Sequence, residues 1–161
     1  SELMNDFNDL NYRPCVGLMV VNTRKNFFTA QRLDFTSTAW QMPQGGIDGG
    51  EEALHAAYRE LSEETSITEN DVELLAVSRG WFSYDLPKEL VSKLWNGLYR
   101  GQKQKWFLMR FIGNDDDINL NTEIPEFSCW RWSTRQQLIE SIVPFKKDLY
   151  RAVLKEFQPL L

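Results

Sequence analysis

The chain has one histidine and two cysteines among 161 residues, and no long apolar run. With a single His55 and no CxxC pair, a zinc site of clustered His and Cys has little support. Cys15 and Cys129 stand far apart in apolar stretches, which reads as free buried thiols rather than a disulfide or a catalytic cysteine. Apolar runs such as "CVGLMVV" and "KWFLMRFI" fall well short of the roughly 20 residues needed to cross a bilayer. The opening "SELMNDFNDLNYRP" has neither a basic start nor an apolar signal core, so the expected location is the cytoplasm. Positive charge is scarce as well. Lys and Arg number 18 against 23 Asp and Glu, and a net charge of −5 argues against bulk coating of nucleic acid. It leaves room for an anionic substrate met locally by metal ions and a few basic side chains.

What is present is enough for a core, with 42% hydrophobic residues and neither repeats nor a linker. The expectation is one domain over residues 1–161, with 1–11 read as a flexible tail. Strands are expected over 15–22 and 27–33, joined by the turn "NTRKN", with loop over 34–46. From Glu51 the period becomes helical, with Leu54, Ala57, Tyr58 and Leu61 at spacings of three and four. "VELLAVSRGWF", "KQKWFLMRFIG" and "FSCWRW" read as further strands, with a short helix inside "DLPKELVSKLWNGLYRG". "STRQQLIESIV" and "FKKDLYRAVLKEFQPLL" read as closing helices, giving an α/β class with helices packed on a mixed sheet.

The chemistry concentrates in "GGIDGGEEALHAAYRELSEETSI", residues 45–67. On a helix Glu60, Glu63 and Glu64 project from one face. Carboxylates so placed raise one another's pKa or bind a cation. Oxygen ligands without His or Cys select Mg²⁺, Mn²⁺ or Ca²⁺. The spacing of an EF-hand loop is missing. A Glu-rich helix taken alone is usually a solvated face, but here a glycine turn leads into it and Arg59 lies within it. That arginine can hold a carboxylate through a bidentate pair.

The stretch resembles the Nudix box, G-x5-E-x7-R-E-U-x-E-E-x-G-U with U aliphatic, in Gly45, Glu51, Arg59, Glu60, Leu61, Glu63, Glu64 and Ile67. Ser66 departs from it, standing where the pattern has the glycine that ends the helix in a left-handed turn. "YRPCVGLMVVN", "WQMPQGGI", "GQKQKWFLMRF", "PEFSCWRW" and "PFKKDLYRAVLKEF" extend the likeness to the bacterial RNA pyrophosphohydrolases of that family. The plant-type and invasion-associated diadenosine tetraphosphate hydrolases are similar too. The resemblance implies the Nudix α/β/α sandwich, a mixed β-sheet with helices on both faces.

It further implies an enzyme that hydrolyses phosphoanhydride bonds of nucleoside polyphosphates through a metal-activated water. Mg²⁺ is the implied cofactor, with Mn²⁺ as a substitute. The implied metal ligands are Glu60, Glu64, Glu63, Glu126 and the carbonyl of Gln44. Glu51 and Arg59 would brace the loop against the helix, and Glu60 or Glu126 would take the proton. Substrate contacts are expected from Arg13, Arg32, Tyr84, Lys103, Lys105 and Phe145, the last stacking on a base. Lys103 and Lys105 share one strand face, with Gln102 and Gln104 on the other. His55 is read as a bystander, and Trp40 as structural or as a stacking residue. The implied partner is 5′-triphosphate RNA or a dinucleoside polyphosphate, with no part for DNA or membrane. The alternative is a non-catalytic Nudix-like domain that binds a nucleotide or a protein. Such domains usually lose box carboxylates that this chain keeps.

Overall fold

A computed structural model gives the architecture, with residues 10–34 and 38–161 described. Most of the tail expected over residues 1–11 lies outside them, and Asn11 already opens the first strand. That strand, β1 (Asn11–Val21), is buried continuously from Cys15 onward. Both of its faces are covered, which is why the sequence there is an unbroken apolar run rather than an alternating one. Val16, Leu18 and Val20 enter one core, and Met19 and Val21 enter the other.

β1 runs parallel to β6 (Tyr99–Phe111) on one side and antiparallel to β2 (Phe27–Arg32) on the other. With β4 (Val72–Val77) and β7 (Phe127–Ser133) the order is β4-β6-β1-β2-β7. Two short strands lie off this path: β3 (Gln44–Gly46) pairs with β1, and β5 (Phe82–Asp85) pairs with β6. The sheet is therefore mixed, with β1–β6 its parallel pair. Helix α1 (Ala53–Thr65) covers one face through Ala56, Ala57 and Leu61. The opposite face is covered by α3 (Arg135–Ser141) and α4 (Lys147–Phe157), whose Leu149, Val153 and Phe157 form one apolar stripe. A single turn, α2 (Lys88–Val91), sits between β5 and β6. Among the described residues no helix is long and apolar enough to cross a membrane.

Two elements differ from the sequence expectation. The single strand expected over 72–82 is broken at Ser78, whose hydroxyl donates to the Gly80 carbonyl (2.8 Å) and accepts from the Trp106 N–H (3.0 Å). A side chain bonding to backbone in this way bends the chain before it resumes as β5. Within the loop expected over 34–46, "QGG" pairs with Cys15, Val16 and Gly17, so the glycine turn is tied to the central strand. At the end of α1, Ser66 adopts the left-handed conformation (φ 66°, ψ 5°) that the box pattern assigns to glycine. Its N–H reaches the Ser62 carbonyl (3.0 Å) and its hydroxyl donates to the Asn119 carbonyl (2.7 Å). The serine keeps the turn and adds a tether to the neighbouring loop.

Candidate active site

The three box glutamates occupy different environments. Glu64 continues the buried stripe of Ala57 and Leu61 and is 1% exposed. Glu60 has a side chain 13% exposed, and that of Glu63 is 59% exposed. Among the described residues neither oxygen of Glu64 has a nitrogen or hydroxyl donor, and the Glu60 carboxyl lies beside it. Burial, and then the charges of Glu126 and Glu60, push its carboxyl well above the ordinary range. Burial also raises Glu60, against the pull of Arg59, and raises Glu126, against the pull of Arg32. A buried orphan carboxylate costs several kcal/mol in principle, and natural cores almost always satisfy such groups. Its retention among two other acids fits a cation as the missing partner. As they stand, no three His, Cys, Asp or Glu side chains of the described residues converge into a ready ligand cluster. The fit with a divalent ion rests on the orphaned oxygens and on the purely oxygen donor set.

Arg59 organises the surroundings. Its guanidinium holds Glu51 with two hydrogen bonds (2.8 and 2.9 Å), and reaches Glu60 (2.8 Å), Glu63 (3.2 Å) and the Gly46 carbonyl (2.9 Å). Glu51 also accepts from the Asp48 N–H (3.0 Å), and its pKa is depressed by Arg59 first and that N–H second. The glycine turn, the helix start and the helix middle are thereby joined at one cation. Glycine in that turn leaves room for the site's side chains, since a Cβ on Gly45 would displace the Glu60 carboxylate, and one on Gly46 the Arg13 guanidinium. His55 touches only the outer side of Glu51 (2.6 Å) from an exposed position.

Beside these acids opens a cavity of about 440 Å³. Glu60, Glu126, Arg32, Gln44 and Lys146 are among its polar lining, and Leu86, Leu90, Leu94, Trp95, Val143 and Phe145 among its apolar lining. Arg13 also lines it, its guanidinium 5.2 Å from the Trp95 ring centroid. Tyr84 and Phe145 lie 5.8 Å apart, ring centre to ring centre. Arg32 is held by Asp34 through bonds of 2.8 and 2.7 Å.

Of the expected substrate contacts, Arg13, Arg32, Tyr84 and Phe145 meet at this cavity, whereas Lys103 and Lys105 do not line it. The parity of β6 puts Gln102 into the cavity wall, and the two lysines flank the Trp81 ring elsewhere. Trp40 does not line the cavity and instead packs under Arg131, 4.1 Å from its ring centroid.

The sequence reading missed Lys146. It is 7% exposed, lies over the Tyr84 ring (5.2 Å) and donates to the Gln44 side-chain oxygen (3.2 Å). Burial first, and Arg32 second, lower its ammonium to about 8. Gln104, fully buried, braces two cavity-lining glutamines, donating to Gln44 (2.9 Å) and Gln102 (2.6 Å) and accepting from the Trp106 indole (2.9 Å). The available signal was the position of Lys146 beside Phe145, one residue from a contact already named. Of the two thiols, Cys15 is buried and raised by burial to about 11, and Cys129 is only half-buried.

A buried carboxylate set beside other acids, next to a cavity lined by both basic and apolar side chains, fits a hydrolase of phosphate chains attached to an aromatic base. The chain belongs to the Nudix family: residues 11–153 match the NUDIX domain. It is 56% identical to an RNA pyrophosphohydrolase of Roseobacter denitrificans over 149 residues, covering 92% of this chain and 93% of the relative. It is 52% identical to an RNA pyrophosphohydrolase of Sphingopyxis alaskensis over 158 residues, covering 98% and 100%. A Caenorhabditis elegans Ap4A hydrolase shares the fold with a TM-score of 0.67 at 21% identity, covering 92% of this chain and 99% of that one. An Escherichia coli dihydroneopterin triphosphate pyrophosphohydrolase shares it with a TM-score of 0.69 at 17% identity, covering 90% and 96%. The protein is thus a Nudix hydrolase, acting on phosphoanhydride bonds of nucleoside polyphosphates. Hydrolases of this family need a divalent metal.

Proposed function

We propose that this single-domain protein removes pyrophosphate from the 5′ end of triphosphorylated RNA in the cytoplasm, with Mg²⁺ as the metal. The observation that carries the chemistry is Glu64, a buried carboxylate whose two oxygens have no hydrogen-bond donor among the described residues, set beside Glu60 and Glu126. RNA as substrate is supported by the relatives of 52–56% identity that carry that name over nearly the whole chain. Glu60, Glu64, Glu126 and the carbonyl of Gln44 would hold the ion, with Glu63 at its outer side. Once bound, it supplies positive charge against the phosphates and acidifies a coordinated water.

The chain's own residues do the rest. Lys146, Arg32 and Arg13 would meet the phosphate oxygens, and Phe145 with Tyr84 would receive a base. Water adds to one phosphorus of the α–β bridge, the bridging P–O bond breaks, and pyrophosphate leaves the 5′-monophosphate RNA. The water's proton passes to Glu60 or Glu126, each raised by burial. Nothing covalent is required of the protein, only placement and charge.

The test is pyrophosphate release from 5′-triphosphate RNA in Mg²⁺, repeated in EDTA and with diadenosine tetraphosphate. Release that EDTA abolishes, with the higher kcat/KM on RNA, is expected. A higher kcat/KM on diadenosine tetraphosphate would move the substrate assignment. Binding of both without turnover would identify a non-catalytic nucleotide-binding domain.

A further inference from the structure

Trp81 is 46% exposed, and the Lys103 and Lys105 ammonium groups lie 5.4 and 5.9 Å from its ring centroid. Among the described residues neither ammonium is in a salt bridge; besides the ring, Lys105 contacts the Arg79 carbonyl (3.5 Å). Register fixes where this group sits. Tyr84 pairs with Gln102 and both line the cavity, whereas Ser83 pairs with Lys103. Successive residues of a strand face opposite sides, so Lys103, Lys105 and Trp81 occupy the sheet face opposite Gln102 and Tyr84. β5 pairs with β6 alone among the described residues, so it forms an edge there. Trp81 lies three residues before Tyr84, about 10 Å at strand spacing.

We infer that Trp81, Lys103 and Lys105 form a second contact site for single-stranded RNA, receiving nucleotides 3′ of the end held in the cavity. This rests on the RNA reading given above. An exposed indole offers a stacking plane that any base can use, and cations beside it meet the backbone phosphates. The two lysines are about 6.6 Å apart along one strand face, so they can address neighbouring phosphates. In a chain of net charge −5, two ammonium groups without carboxylate partners form a local complement to an anionic strand. Lysine is depleted in protein–protein interfaces, which favours RNA over a protein partner at this face. The strand leaves the cavity over the short β5 edge and lies on Trp81.

Two measurements test this. The first is binding of a 5′-monophosphate single-stranded RNA of about twelve nucleotides, within the span such surfaces hold, by fluorescence anisotropy. Trp81→Ala should weaken it about five-fold or more, the loss of one base stack, and Trp81→Phe should restore most of the loss. A Lys103→Glu/Lys105→Glu variant should weaken it and flatten its salt dependence. The second is kcat/KM of Trp81→Ala on a 5′-triphosphate dinucleotide, too short to reach Trp81, which should match wild type. Unchanged binding of the longer RNA by Trp81→Ala would overturn the inference, and so would an equal loss on the dinucleotide. A wild-type protein that binds the longer RNA through Trp81 yet releases no pyrophosphate would sustain this site and overturn the proposed reaction.

Discussion

Arg59 grips Glu51 through two hydrogen bonds of 2.8 and 2.9 Å, across eight residues of chain. The pair closes the glycine turn onto α1, and the same guanidinium reaches Glu60 (2.8 Å), so the loop and a carboxylate proposed as a metal ligand share one anchor. Lysine would keep the charge and lose the fork. Arg59→Lys should therefore lower kcat/KM by about 10- to 100-fold, the usual effect of losing a group that orients metal ligands. Weaker metal affinity should accompany the loss, and titration calorimetry with Mn²⁺ reads it directly. Unchanged affinity would mean that Arg59 does not position the ligands.

Lys146 gives the reaction an alkaline limit. Its ammonium is lowered to about 8 by burial and Arg32, so above that pH the free enzyme loses a cation that would face phosphate. KM should rise through that range, and Lys146→Met should remove the limb and cost roughly 10- to 100-fold in kcat/KM, as for a lost hydrogen bond to a charged group. Stability follows the opposite sign. The folded chain sheds this proton near 8 and the unfolded chain at 10.5, so the protein should gain stability as pH rises through that window. Thermal melts of wild type and Lys146→Met between these values separate the two effects.

Ser66 bears a left-handed φ of 66° and repays part of that strain with its hydroxyl bond to Asn119 (2.7 Å). Ser66→Gly relieves about 1 kcal/mol of backbone strain and deletes a hydrogen bond worth about the same. The melting temperature should move by only a few degrees and the activity should stay. A collapse of activity would show that the Asn119 tether positions the box.

Much of this architecture was legible in the sequence, because its signals are periodic. The helical spacing of Ala57 and Leu61, the doubly apolar β1 and the α4 stripe of Leu149, Val153 and Phe157 each register a buried face. What was not legible depends on contacts between distant segments. β3 is three residues of a glycine turn, visible only through its pairing with β1. The break at Ser78 comes from a hydroxyl bonding to backbone inside an otherwise apolar run. The alternation in "GQKQKW" showed two faces but not which one met the cavity, and it is the face of Gln102 that does. Helical spacing placed Glu60, Glu63 and Glu64 together, while their unequal burial is set by the sheet packed against α1.

Glu64 carries the central claim. Its folded pKa is raised above the unfolded 4.5, so without metal its ionisation opposes folding as pH climbs through the folded value, and the strain vanishes below the unfolded one. Glu64→Gln removes that charge. In EDTA at neutral pH the variant should melt no lower than wild type, although it should be inactive.

The decisive measurement is the melting temperature of both proteins, taken in EDTA and again in excess Mg²⁺ or Mn²⁺. Wild type should gain about 5–10 °C at a metal concentration roughly a hundred times Kd, and Glu64→Gln should gain little or nothing. Equal gains in the two proteins, or none in wild type, would contradict the assignment of the buried carboxylate to a bound cation.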